Sequence, residues 1–174
     1  QKIRLFLHHR ENNIKIGGKP TGRFNFLYNL YSANGKYIAI CEGDDYWTDP
    51  LKLQNQVDFL ENNKDYSFCA TNYQRLKKGV FKKVNLEGKR ITPGNIFLKN
   101  SQASASLVFR YNIIKEFLSL KTNQVKAADW LLQSLGCVKY GPGKCLKFYS
   151  TVYRLHDKGV WSSYNRKEMG KAGV

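Results

Sequence analysis

The sequence has no apolar run close to the roughly 18 residues that a membrane-spanning helix requires, and it contains no internal repeat or low-complexity segment. It also shows no zinc-finger pattern, no RNA-binding aromatic motif and no basic recognition helix. Its cysteines are not in C-x-x-C spacing; they are Cys41, Cys69, Cys137 and Cys145. This pattern argues against a structural zinc site and a disulfide scaffold, and it favours a reducing, cytoplasmic setting.

The remaining composition is that of a folded domain. A chain of 174 residues is long enough for one domain with a hydrophobic core. Hydrophobic residues make up 42% and aromatic residues 14% of the sequence. These fractions favour a globular protein over a disordered one.

Acidic residues are few: 13 aspartates and glutamates face 29 lysines and arginines, which gives a formal net charge of +16. Much of the positive charge lies in four places, which are residues 75–78, 82–83, 89–90 and the tail from residue 166. A basic face can bind nucleic acid, an anionic membrane surface or an anionic substrate, or it can simply be solvated. Near an anionic leaflet each lysine or arginine contributes roughly 1 kcal/mol. Because no nucleic-acid motif is present, peripheral contact with an anionic membrane is the better hypothesis, with no specific nucleic-acid partner.

The most informative segment is residues 41–50, with the sequence CEGDDYWTDP. It follows a short apolar run at residues 37–40 that predicts a buried strand. Glu42, Asp44 and Asp45 therefore lie where a strand ends, and this edge of an open α/β sheet is where ligands bind. Clustered carboxylates repel one another unless they are solvated or offset by a cation. The segment is either an acidic turn in solvent or a site for Mg²⁺ or Mn²⁺ that leaves positions for substrate phosphates.

A helix is predicted directly after this segment. Asp49 is a candidate N-cap, and Pro50 suits the first helical position. Leu53, Val57 and Leu60 then fall on one helical face. The acidic turn is thus predicted between a buried strand and a well-marked helix, which is a rigid setting for a site.

Strands and helices alternate along the rest of the chain. Further strands are predicted over residues 3–7, 66–70, 80–84, 106–110 and 146–153. Further helices are predicted over residues 24–31, closed by Gly35, and over 93–98, 113–120 and 130–135, the last ended by Gly136. This alternation predicts a layered α/β domain with some antiparallel pairing in its second half.

Four segments together resemble glycosyltransferase family 2, of the GT-A type, whose members use nucleotide-diphosphate sugars. They are residues 35–60, 100–110, 128–131 and 152–162. The EGDDYW motif at residues 42–47 and the YRLHDKGVWS motif at residues 153–162, in this order and at this spacing, make the resemblance specific. It extends over almost the whole chain, from about residue 4 to residue 163.

The resemblance implies a GT-A type (Rossmann-like) three-layer α/β/α domain with a mixed sheet. Family members begin with two strands that hold the base and ribose of the donor, whereas residues 3–7 look like the family's third strand. The expectation is therefore an N-terminally truncated glycosyltransferase-like domain over residues 1–163, followed by a basic tail at residues 164–174.

The resemblance also implies roles for individual residues. Asp44 matches the main metal-binding carboxylate. Glu42 matches a position that contacts the ribose or a metal-bound water, and Asp45 matches one that organises the loop or orients the donor sugar. Asp129 matches the general base that accepts the proton of the acceptor hydroxyl. From the residues alone, Asp129 could instead cap the helix that begins at Trp130.

The last motif contributes three more candidates. The family pattern places His156 at the metal or the diphosphate, with Arg154 as a fixed cation nearby. Trp161 either closes the donor or acceptor pocket or packs in the ordinary way. Two earlier aromatic side chains, Tyr46 and Trp47, could likewise stack on a base or sugar or anchor their loop.

The function implied is metal-dependent, inverting transfer of a sugar from a nucleotide-diphosphate donor to a glycan or lipid-linked acceptor. The cofactor expected is Mn²⁺ or Mg²⁺, and the setting is cell-envelope polysaccharide biosynthesis at the cytoplasmic side of the membrane. Two other functions stay open. One is a non-catalytic remnant that keeps the fold without the nucleotide-binding half, and the other is a basic module that binds membranes or polyanions.

Overall fold

The computed structural model describes residues 4–16, 18–120 and 127–156. Trp161 and the predicted basic tail lie outside the described residues. The strand predicted at residues 3–7 is wrong where it can be checked, because residues 4–7 form no strand. The aromatic ring of Phe6 packs edge to face on Tyr28, with ring centroids 4.9 Å apart, so this segment covers a helix and does not extend a sheet.

The described residues form five α-helices and nine strands. The helices are α1 (Arg23–Ser32), α2 (Lys52–Asn62), α3 (Pro93–Leu98), α4 (Tyr111–Ser119) and α5 (Ala128–Lys139). The strands are β1 (Lys15–Ile16), β2 (Lys19–Pro20), β3 (Tyr37–Ala39), β4 (Tyr46–Trp47), β5 (Phe68–Lys77), β6 (Val80–Val84), β7 (Arg90–Ile91), β8 (Val108–Arg110) and β9 (Gly143–Leu155). None of these helices combines the length and the apolar character needed to cross a bilayer.

Seven strands form one mixed sheet. Its order is β3–β8–β5–β9–β4, with β6 beside β5 and β7 beside β9. The β5 and β9 strands run parallel, and the other neighbouring pairs are antiparallel. The predicted α/β class with a mixed sheet is confirmed. β1 and β2 form a separate two-stranded ribbon.

The centre of the sheet is buried on both faces. The first six residues of β5 are buried, as expected for a central strand, and the strand then alternates as it leaves the core. Helices α1, α4 and α5 cover one face, where fully buried Phe68 and Phe109 pack with ring centroids 5.3 Å apart. A Cβ atom on Gly143 would lie 2.3 Å from the Phe68 ring, so only glycine allows β9 to approach this side chain so closely.

Three predicted helix boundaries differ from the structure. α2 begins after Pro50, although Asp49 still accepts a hydrogen bond from the Leu51 amide at 2.8 Å. α1 ends at Ser32, where the backbone amide of Ala33 donates to the Leu30 carbonyl oxygen at 3.2 Å. Gly35 therefore lies beyond the end of the helix. α5 continues through Gly136 because the bare Cα fits tightly against neighbouring side chains, where a Cβ would meet Phe68 at 3.1 Å. This glycine serves packing and not helix termination.

α2 buries a lysine. Lys52 is 1% exposed, and its Nζ donates to Gln56 Oε1 at 2.7 Å and lies 4.5 Å from the centroid of the Trp47 ring. No carboxylate forms an ion pair with it among the described residues. Burial lowers the pKa of Lys52 to about 8, because the charged form loses its hydration.

Replacing Lys52 with methionine is expected to change how stability depends on pH. Below about pH 8 the lysine is charged in both the folded and the unfolded chain, so folding carries the full cost of burying the charge. Between about pH 8 and about pH 10.5 the unfolded chain binds more protons, so this cost fades as the pH rises. The advantage of Lys52→Met over the wild type should therefore shrink by about 3 kcal/mol across this range.

Urea unfolding of both proteins at several pH values measures this difference. Burial also raises the pKa values of Cys69 and Tyr153 to about 12, so both side chains stay protonated in the folded chain across this range, with or without the nearby Lys52 charge. Their contributions therefore cancel in the comparison. A stability difference that stays constant with pH would show that Lys52 keeps an ordinary pKa in the folded chain.

Candidate active site

The acidic turn forms at the end of β3, as its sequence predicts. The Asp45 amide donates to the Glu42 carbonyl at 3.1 Å, which closes the turn. The chain then enters β4, where Tyr46 pairs with Val152 of β9. This pairing brings the end of β9 beside the turn, so residues separated by more than half of the chain meet at one edge of the sheet.

The Asp45 side chain extends the pairing between β4 and β9. Its Oδ1 accepts a hydrogen bond from the Arg154 backbone amide at 2.9 Å. Burial raises the pKa of Asp45 to about 6, against the lowering effect of this bond, and the nearby Asp44 carboxylate raises it further. The Arg154 guanidinium, through its Nε, donates to the Asp44 carbonyl oxygen. Asp45 and Arg154 therefore fix the turn on β9.

Asp44 and His156 lie next to each other; the family resemblance places Asp44 at a metal and His156 at the metal or the diphosphate. His156 Nε2 lies 2.9 Å from Asp44 Oδ2, and both side chains are about two-fifths exposed. One carboxylate oxygen and one imidazole nitrogen thus face solvent side by side. Among the described residues, no group of three or more histidine, cysteine, aspartate or glutamate side chains is arranged to hold a metal ion.

Asp129 lies in the first turn of α5 but does not cap it, since the N-cap residue is Ala127 and no side chain caps the helix. Asp129 Oδ2 instead accepts hydrogen bonds from Asn100 Nδ2 at 3.1 Å and from Ser104 Oγ at 3.3 Å. Asn100 is held in turn by Gln133, whose Nε2 donates to Asn100 Oδ1 at 3.2 Å. The carboxylate is therefore oriented by a part-buried network of polar side chains.

Glu42 and Asp129 influence each other. Burial raises the pKa of Glu42 to about 7, the charge on Asp129 raises it further, and a hydrogen bond with Ser104 lowers it. Burial also raises the pKa of Asp129, against the lowering effect of its hydrogen bonds. Glu42 as a whole residue is exposed and lies at the rim of the acidic turn. Glu42, with a pKa of about 7, can therefore gain or lose a proton near neutral pH.

The effect of the acidic side chains on Tyr153 shows that they lie close together. Burial is the main reason that the pKa of Tyr153 is raised to about 12, and the charges of four carboxylates add to it. These carboxylates belong to Asp45, Glu42, Asp44 and Asp129. Six of the seven predicted site residues are thus brought together, and the seventh, Trp161, lies outside the described residues.

One cation at this site was missed from the sequence. Arg23, the first residue of α1, is 4% exposed, and its Nη1 is buried without a hydrogen-bond partner in the described structure. Burial lowers the pKa of its guanidinium, and the attraction of Asp129 opposes this effect. A signal was present, because Arg23 continues the helical face of Leu27 and Leu30, where a charge is out of place.

Trp47 anchors a loop, which is one of the two roles that the sequence predicts for it. Its Nε1 donates to the Ala105 carbonyl at 2.8 Å, and its ring lies against Lys52. It therefore anchors the loop of residues 100–106 that also carries Ser104 and Asn100. Trp47 acts on the candidate site by holding this loop.

No family model matches the chain. It is 32% identical over 158 residues to an uncharacterized protein of Mycobacterium tuberculosis, a match that covers 88% of this chain and 43% of that protein. It is also 27% identical over 131 residues to WfaP of Escherichia coli, described as a UDP-Glc:alpha-D-GlcNAc-diphosphoundecaprenol beta-1,3-glucosyltransferase. That match covers 75% of this chain and 50% of WfaP. The chain thus spans half or less of the length of these relatives.

Solved structures show the same fold at low sequence identity. S. aureus TarS in complex with UDP-GlcNAc superimposes with a TM-score of 0.57 at 14% identity, covering 79% of this chain and 40% of TarS. TarS in complex with UDP gives a TM-score of 0.55, also at 14% identity, over 74% of this chain and 38% of TarS. Together with the distant relationship to WfaP, this likeness shows that the chain has a glycosyltransferase fold.

Proposed function

We propose that this chain is part of a metal-dependent, inverting glycosyltransferase of family 2 that transfers a sugar from a nucleotide diphosphate to a glycan or lipid-linked acceptor. The observation that carries the proposal is the convergence of the Asp44–His156 pair and the hydrogen-bonded Asp129 carboxylate on one edge of the sheet. Sugar transfer needs these two functions together. One offsets the charge of the leaving diphosphate, and the other accepts the proton of the acceptor.

The residues present fit a divalent cation. Asp44 Oδ2 and His156 Nε2 supply two ligands, and a hard cation bound by so few protein groups keeps positions for phosphate oxygens and water. Mn²⁺ or Mg²⁺, when bound there, acts as a Lewis acid on the diphosphate. Arg154 and Arg23, whose Nη1 has no hydrogen-bond partner among the described residues, are two further positive groups, and both suit phosphate oxygens.

Asp129 would act as the general base. In a single in-line displacement, the acceptor oxygen forms a bond to the anomeric carbon while the bond from that carbon to the diphosphate oxygen breaks. The hydroxyl proton passes to the Asp129 carboxylate, and the configuration at the anomeric carbon inverts. Burial favours this role, since it raises the pKa of Asp129 and makes the group a better proton acceptor.

The relatives suggest a substrate class. WfaP is named for a UDP-glucose donor and a diphosphoundecaprenol-linked acceptor, and TarS was crystallised with UDP-GlcNAc. We therefore infer a UDP-sugar donor for this chain and a sugar linked to a lipid diphosphate as its acceptor. Such an acceptor places the protein at the inner face of a membrane, in cell-envelope polysaccharide synthesis.

Thermal unfolding with UDP, GDP and dTDP, each with and without Mn²⁺, tests the proposal. Ligand at about one hundred times its dissociation constant stabilises by about 2.7 kcal/mol, or about 5 to 10 °C for a domain of this size. We expect a rise with UDP that needs Mn²⁺. If no nucleotide shifts the melting of a chain that still unfolds cooperatively, the chain is a non-catalytic remnant and the proposal fails.

A further inference from the structure

A β-hairpin projects from the central strand of the sheet. Strands β5 and β6 pair from Tyr73 with Val84 to Lys77 with Val80, and Lys78 and Gly79 form the turn with positive φ angles of 48° and 79°. Two central residues with positive φ are typical of the type I′ turn, which continues the twist of the two strands. The end of this hairpin is therefore a defined, ordered structure, and we call residues 77–82 the hairpin tip.

The hairpin tip exposes apolar and cationic side chains together. Val80 is 69% exposed and Phe81 is 55% exposed, although a folded chain usually buries such residues. Lys77, Lys78 and Lys82 are also exposed. Of the described ion pairs, none involves these three lysines, so their charges are not neutralised within the described part of the chain.

Exposed apolar side chains next to lysines are suited to binding an anionic lipid surface. The lysine ammonium groups are attracted to acidic headgroups, and an aromatic ring and a branched aliphatic side chain can enter the boundary between headgroups and acyl chains. A solvated basic face would account for the lysines but not for Val80 and Phe81. Both apolar residues also lie in a strand that pairs on one side only in the described structure, so nothing there covers them.

The hairpin is connected to the candidate active site through the sheet. Phe81 pairs with Leu76 of β5, and Leu76 pairs with Arg154 of β9. Neighbouring strands lie about 5 Å apart, so these three residues form a row about 10 Å long across the sheet. Arg154 donates to Asp44 at the other end of this row. A surface that the tip contacts is therefore close to the site.

We propose that the hairpin tip docks on an anionic membrane surface, with Phe81 and Val80 entering the lipid interface and the three lysines binding acidic headgroups. This contact brings the candidate site to a lipid-linked acceptor at the bilayer surface. The role in acceptor delivery rests on the proposed function, whereas the membrane contact itself can be tested without it.

Vesicle co-sedimentation is the test. The full chain should bind vesicles of equimolar phosphatidylcholine and phosphatidylglycerol and should not bind phosphatidylcholine alone. Lys77→Gln with Lys82→Gln should weaken binding about thirtyfold, since each lysine contributes about fivefold near an anionic surface. Val80→Ser with Phe81→Ser should weaken it at least about tenfold, because the apolar groups no longer leave water.

Two matched controls make the same chemical changes elsewhere. Lys15→Gln with Lys115→Gln removes two exposed lysines, and Leu98→Ser with Val138→Ser removes two side chains that are 86% and 60% exposed. Both controls should bind vesicles almost as the wild type does. The proposal is overturned if a control weakens binding as much as its tip counterpart, or if Val80→Ser with Phe81→Ser has no effect.

A single-stranded polynucleotide is the competing probe. If it binds more tightly than the anionic vesicles, and the apolar substitutions leave both affinities unchanged, the tip is a nucleic-acid contact and the membrane proposal fails. The Mn²⁺-dependent stabilisation by UDP should be the same in the tip variants and the wild type. Loss of vesicle binding with UDP binding intact therefore separates this proposal from the proposed function.

Discussion

Asp129→Asn is expected to lower the rate of sugar transfer by about 10² to 10⁴-fold, because the amide cannot accept the acceptor proton. Asparagine has nearly the same shape, and its carbonyl oxygen can still accept hydrogen bonds from Asn100 and Ser104. The fold and the stabilisation by nucleotide should therefore persist. Release of UDP from the proposed UDP-sugar donor, measured with the lipid-linked acceptor, gives the rate.

A matched control separates loss of the base from loss of a charge. Asp58→Asn makes the same chemical change at an exposed position on α2 and should leave the rate within about twofold of the wild type. If Asp129→Asn retains activity similar to this control, then Asp129 serves structure alone and another group must accept the proton. Glu42, whose pKa is raised to about 7, would then be the next residue to replace.

Asp44→Asn should abolish the Mn²⁺-dependent stabilisation by UDP and lower transfer about a thousandfold. The rate estimate corresponds to about 4 kcal/mol of charge stabilisation by a bound cation at the diphosphate. The pair with His156 is about two-fifths exposed, and a pair of this kind adds little to folding, about 1 kcal/mol or less. The variant should therefore melt close to the wild type when no ligand is present.

Melting curves with UDP, with and without Mn²⁺, check this expectation beside the rate measurement. Asp65→Asn, at an exposed position before β5, is the control and should keep the full response to ligand. An Asp44→Asn protein that still gains stability from UDP and Mn²⁺ together would place the metal elsewhere. His156→Ala should resemble Asp44→Asn if the two side chains share the cation.

Local patterns predicted the acidic turn and its setting correctly. Glu42, Asp44 and Asp45 follow a buried strand, and a helix comes soon after them, because these features depend on neighbours in sequence. The strand over residues 80–84 and the helix α3 were also predicted with the bounds that the structure shows. A proline at the first helical position is a strong local signal for the helix.

The parts that could not be predicted depend on contacts between distant residues. The length of β9, which continues to Leu155, is set by its pairing with β5 and β4, and apolar periodicity does not reveal that pairing. The strand expected at residues 3–7 has a suitable local pattern, but its aromatic side chain packs on α1. Tertiary contacts override local propensity in both cases.

At the candidate site, too, the sequence predicted most of the residues but not the contacts between distant residues that position them. The resemblance to a family suggested Asp129 as a base, but local sequence patterns do not reveal the hydrogen bonds from Asn100 and Ser104 that orient it. Arg23 was missed because a single arginine at a helix start is usually a solvated residue. Its burial, and the effect of the Asp129 charge on its pKa, become visible only in the folded structure.

The parallel pairing of β5 with β9 also has a consequence for synthesis of the protein. Phe68 pairs with Gly143, and the partners of Asp44 and Asp45 come from residues 154 and 156. A ribosome adds roughly 5 to 20 residues per second, so the acidic turn exists for several seconds before β9 is made. Pairing over such long sequence separation is also intrinsically slow. The partners of Asp44 and Asp45 therefore become available only once β9 has been made, and a chain interrupted before β9 would lack Arg154 and His156 at the candidate site.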